Sequence, residues 1–133
     1  MGKTILGGII GTAAMTIIMY LAPMMGMPKM SAPDMLSGMM GMPIIVGWIM
    51  HFMIGIIFAL AYTYFFAPAV QISNVWVKGA VFGVAVFIFA QIVMAIMGSM
   101  SNMPKPEGSM MLTVMGSLIG HIVFGMGVVK TLE

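Results

Sequence analysis

The chain has no cysteine and no arginine. The first absence excludes disulfides, thiolate metal ligands and thiol nucleophiles. The second removes the planar fork that meets carboxylates and phosphates two bonds at a time. Only three acids occur, Asp34, Glu107 and Glu133, and none is expected inside an apolar run, so no carboxylate pair is available for hydrolytic work. Five lysines against those acids give a net charge of +2, too sparse for a nucleic-acid surface. Charged residues are 6% of the chain, where a soluble domain carries about a quarter. No phosphate-cradling loop is present, because the glycines lie within apolar stretches. Ser117 stands one turn from His121, but no third group is in place to orient that histidine as a triad would. An electron carrier or binding protein fits better than a hydrolase.

What remains is lipid-soluble sequence. Hydrophobic residues make up 62% of the 133 positions and mean hydropathy is +1.15. Four stretches are long enough for the roughly 20 residues that a membrane helix needs. They run from about Ile5 to Met24, Pro43 to Phe66, Val75 to Gly98 and Met110 to Val129, with Pro23, Pro28 and Pro68 marking ends. Lys3 followed by an apolar run resembles a secretory signal, but the run is too long and lacks a cleavage site before Pro23, so it reads as the first span. Trp48 near one end, with Trp76, Tyr62 and Tyr64 toward the other, reads as interfacial anchoring. Ser31-Ala-Pro-Asp34 predicts a helix start and a short interfacial helix over 34–40. The terminal Leu132-Glu133 is also what a removed affinity tag leaves, and nothing is built on Glu133 at this stage.

The expected fold is an all-α membrane protein, one domain over residues 1–133, with four transmembrane helices forming a bundle. Lys3, Lys78 and Lys130 share the side of the termini, against Lys29 and Lys105 on the other. The positive-inside rule then puts both termini in the cytoplasm, and the expected location is the inner membrane of a prokaryote.

The chain also repeats. Gly7-x-x-x-Gly11 and Gly79-x-x-x-Gly83 superimpose with an offset of 72, and the second and fourth spans superimpose with an offset of 70. The bundle therefore reads as two parallel helical-hairpin repeats, residues 1–67 and 73–131. Spacing by four puts Gly47, His51, Gly55 and Ala59 on one face of span two, and Thr113, Ser117, His121 and Gly125 on one face of span four. Spans one and three carry Gly7, Gly11, Met15, Met19 and Gly79, Gly83, Phe87, Gln91 in the same way.

His51 and His121 are the candidate site. An ionisable group within hydrocarbon is a functional candidate by default, and these two sit 70 residues apart in matching contexts. Both fall in the half of the bundle away from the termini. A haem b clamped between the two imidazoles is the leading expectation, with Gly47, Gly55, Ser117 and Gly125 admitting the flat macrocycle and Gln91 orienting an imidazole. Histidines on separate helices of a four-helix bundle resemble the general plan of membrane b-type cytochromes. That resemblance implies one-electron transfer, with a quinone or another redox partner. In the absence of arginine, propionates would turn to Lys29, Lys105, backbone donors or water.

Copper is the alternative. Of the 21 methionines, eight lie between Met24 and Met42 and seven between Met94 and Met115, all toward the side where the histidines lie. Thioethers favour Cu(I), though methionine is also adaptable filler. The third reading is a cofactor-free structural or assembly subunit of a larger membrane complex, with both histidines hydrogen-bonding across helices. The glycine pairs serve equally within one bundle or in a homodimer.

Overall fold

The computed structural model describes residues 2–26, 37, 41–100 and 110–133. Helix α1 spans Gly2–Leu21 and ends in a 3₁₀ turn, Ala22–Met25, closed by Gly26 at φ 89°. Pro23 opens that turn because its missing N–H is not needed there, and only glycine takes the left-handed cap without strain. Helix α2 spans Ile44–Ala61 and continues through a π turn, Tyr62–Phe66, into Ala67–Ala69. Helix α3 is Val75–Met100 and α4 is Met110–Leu132. All four are long and apolar enough to cross a membrane. The protein is an integral membrane four-helix bundle. Of the expected interfacial helix over 34–40 only Ser37 is described; the rest lies outside the described residues.

Pro68 does not close span two. The helix runs past it to Ala69, and the π turn supplies the reason. A proline ring strikes the carbonyl four residues back and cannot bond to it. Widening the preceding turn relieves that clash.

The helices run up and down. Their closest backbone approaches are α3 on α4, α1 on α4 and α1 on α2, whereas α2 and α3 meet through rings. Phe58 packs on Phe89 at 5.7 Å, and Tyr62 and Phe66 pack on Phe82 at 4.9 and 5.2 Å. Close approach depends on glycine, as expected where lipid supplies no hydrophobic drive between helices. A Cβ on Gly8 would lie 2.7 Å from the Cα of Ile56, and one on Gly79 would lie 2.6 Å from the Cα of Met126.

The expected stripe Gly7, Gly11, Met15 and Met19 is a buried face of α1. Gly7 and Gly11 do not face α2; they pack against Val128, Leu132 and Phe124 of α4. The face toward α2 is Thr4, Gly8, Thr12 and Thr16, all buried. Adjacent small residues give α1 two close-packing faces, one for each neighbour.

A second correction concerns the end that carries the termini. Lys78 lies one turn into α3 and is only 6% exposed. Its Nζ meets Glu133 Oε2 at 2.9 Å. The Tyr62 hydroxyl donates to the same carboxylate, and Tyr62 is 1% exposed, so it is core rather than an interfacial anchor. Tyr64 and Trp76 are exposed, with Lys130 over the Trp76 ring. Thr63, the next residue after Tyr62, bonds Thr4 of α1 at 3.2 Å. A single polar cluster thus ties all four helices together at that end.

Candidate functional site

The histidines stand on either side of α1. His51 is buried against Thr16. Met15, the residue before Thr16, and Met19, one turn on, pack over Gly120, which precedes His121; their Cγ atoms lie 3.5 and 3.6 Å from where a Gly120 Cβ would be. The two histidines therefore lie at one level of the bundle, with the buried Met15 and Met19 side chains over Gly120 at that level.

Hydrogen bonds fix which nitrogen of each neutral ring carries its proton. Thr16 Oγ1 donates its only hydrogen to the Thr12 carbonyl at 2.7 Å, an ordinary bond back along the helix. His51 Nε2, 2.9 Å away, must then be the N–H that donates to Thr16. The His51 lone pair is left on Nδ1. His121 Nδ1 is 2.7 Å from the Ser117 carbonyl, which can only accept, so Nδ1 carries the proton and the lone pair is on Nε2. The Ser117 hydroxyl lies farther off at 3.4 Å. Each ring is oriented through its N–H by an oxygen, which is how ligating imidazoles are held. No donor to His51 Nδ1 or His121 Nε2 is found among the described residues.

The small residues of the expected site are buried, but by neighbouring helices. Gly55 meets the Thr12 hydroxyl and Gly125 meets the Gly79 carbonyl and the Gly83 backbone. Gly47 is buried near the start of α2. Ser117 orients His121. Gln91 is exposed, one turn beyond Phe87, whose ring packs on His121 at 5.7 Å. Glycine holds α3 against α4 at Gly79 and Gly83, and among the described residues Gln91 bonds neither ring.

The surroundings of the two rings favour a bare ion over a haem. A porphyrin iron takes the outer ring nitrogen, Nε2, because Nδ1 lies beside the ring's own attachment to the helix and a broad flat ligand there strikes backbone. His51 offers only Nδ1. The slots that glycine would open for a macrocycle are filled by the Thr12 side chain at Gly55 and by helix backbone at Gly125, and buried Met15 and Met19 occupy the same level. Of two surface grooves, one of about 520 Å³ lies along the α2 side chains Trp48, Ile49, Phe52, Met53, Ile56 and Ile57. The other, about 340 Å³, lies beside the connection to α3 at Gln71, Ser73 and Lys78. Neither borders a histidine. Among the described residues no three His, Asp or Glu side chains converge, so any ion held here would draw on thioethers as well as imidazoles.

The sequence matches a family of unknown function, DUF6789, over residues 1–133. The chain belongs to that family. No curated protein and no solved structure matches it. The match runs through Glu133, the residue that satisfies Lys78.

Two features escaped the sequence reading. The hydroxyl seam Thr4, Thr12, Thr16 was signalled by threonine at multiples of four in an apolar helix, a pattern that hydrogen-bonds across membrane helices. The Lys78–Glu133–Tyr62 cluster joins residues 55 and 71 positions apart, which no local pattern reports.

Proposed function

We propose that this protein holds a single soft metal ion, Cu(I), in the half of the bundle away from the termini, through His51 Nδ1, His121 Nε2 and the thioethers of Met15 and Met19. The observation that carries this reading is the proton assignment: each ring spends its N–H on an oxygen and keeps one lone pair without a partner among the described residues. Imidazole and thioether together suit Cu(I), and a bare ion reaches Nδ1 where a macrocycle does not. On this reading the protein is a copper-handling membrane protein and not a hydrolase or a cytochrome. It sits in a prokaryotic inner membrane with Lys3, Lys78 and Lys130 on the cytoplasmic side.

We further read the two hairpins as parallel repeats, with the first helices offset by 71 rather than 72. Gly8, Thr12 and Thr16 then correspond to Gly79, Gly83 and Phe87. Support comes from matched contacts: Gly8 against Gly55 and Ile56, and Gly79 against Gly125 and Met126.

The test is metal content. Protein purified from copper-replete cells, or titrated with Cu(I) without oxygen, is expected to hold one copper per chain with nitrogen and sulfur neighbours in its X-ray absorption spectrum. His51→Ala or His121→Ala should lose it, while Met53→Leu, at an exposed position, should not. A Soret band in the purified protein, with α and β bands sharpened by dithionite, would overturn copper in favour of haem. A colourless protein that binds no copper would leave His51 as a tie between α1 and α2 and His121 as a bond within α4.

A further inference from the structure

Resting on that reading, we propose that the site exchanges its ion only with the compartment facing the end away from the termini, so that the protein accepts or donates Cu(I) on one side and does not pass it across. The two directions out of the histidine level differ in kind.

Toward the termini the interior is closed. Ala59, Val128 and Val129 are 0% exposed, and Phe82, Val86 and Phe124 complete a layer with no soft ligand. Below that layer Tyr62, the one oxygen donor among these core residues, gives its hydrogen to Glu133. Lys78 lies against the same carboxylate, and its cation repels any other. A soft monovalent cation moving this way would leave its imidazoles and thioethers for the hydroxyls of Thr12 and Thr4, hard oxygens already bonded to Gly8 and Thr63, which is prohibitive within hydrocarbon.

In the other direction thioethers continue. Met15 and Met19 share a face of α1 one turn apart, both buried. Beyond them Pro23 turns the chain, and the next two residues, Met24 and Met25, stand 82% and 83% exposed at the rim. An ion can be handed between sulfurs of similar affinity along this line, as movement through a membrane requires. Each transfer exchanges one thioether for another at constant charge, and no electron or proton moves. The partner this implies is a Cu(I) carrier that itself presents thioethers or imidazoles, since thiolates would strip the site.

Reconstituted vesicles test this. Copper-loaded protein is placed in liposomes, and orientation is measured on a parallel sample carrying Gly26→Cys with an impermeant thiol reagent. An impermeant Cu(I) chelator is then added outside. The fraction of copper removed should equal the fraction of molecules with Gly26 outward, the rest appearing only after detergent. Met24→Ile combined with Met25→Ile, at the exposed rim, should slow removal several-fold while copper per chain stays unchanged. Removal matching the fraction with Ser73 outward, or removal of all copper whatever the orientation, would overturn the sidedness alone. A preparation that takes up no Cu(I) before reconstitution would overturn the binding reading and the sidedness together.

Discussion

The two histidines have nearly the same sequence surroundings and solve the same problem differently. His51 reaches across to a hydroxyl on α1. His121 turns back onto the carbonyl one turn before it on its own helix. The cause lies on the facing helix: where α1 offers Thr16, α3 presents Phe87, which can pack on a ring but cannot bond to it. A buried imidazole takes its partner from whichever neighbour supplies an oxygen, and the choice decides which nitrogen stays free. The tautomer of each ring is therefore written partly in the helix it faces.

The largest effect should come from breaking the α3–α4 contact that sets His121. A Cβ on Gly83 would land on the His121 carbonyl, and that is backbone. Gly83→Ala is expected to cost about 3 kcal/mol in detergent unfolding. Gly55→Ala, on the other side of the comparison, meets the Thr12 hydroxyl, which can rotate away, and should cost about 1 kcal/mol. Equal losses would mean that the two hairpins are packed with the same tolerance.

Next comes the cross-helix bond. Thr16→Val keeps the shape and leaves His51 Nε2–H without an acceptor, so stability should fall by about 1 kcal/mol. Copper affinity should fall roughly 10- to 100-fold once that ring is no longer oriented. Smallest of all is Ser117→Ala. The carbonyl at 2.7 Å holds His121, and the hydroxyl at 3.4 Å adds little, so the change should stay below about 0.5 kcal/mol with copper content intact. A Ser117→Ala loss as large as that of Thr16→Val would remove the distinction between the two rings.

The four spans were legible because hydropathy over 20 residues needs no partner to be read. Their ends came within a few residues, as Pro23, Pro43 and Lys130 allowed. Phase was harder. Gly7 and Gly8 are adjacent, and nothing local says which of them faces α2. Gln91 was reached by extending the stripe Gly79, Gly83 past Phe87, where a bulky ring already replaces glycine on that face, and Gln91 is exposed. Tyr62 lies in a π turn, and a period of 3.6 fails there. The proton positions on His51 and His121 depend on Thr16 and on a backbone carbonyl, and only coordinates bring those together.

The ion pair at the terminus end also has a history. Lys78 enters the membrane with α3, whereas Glu133 is made only after α4. Throughout that interval of synthesis the lysine has no carboxylate to meet and must keep its ammonium at the water boundary, as lysine near a helix end does. Docking of α4 is what brings Glu133 to Lys78 and lets the ammonium settle inward, so α3 is fully housed only after the helix that follows it.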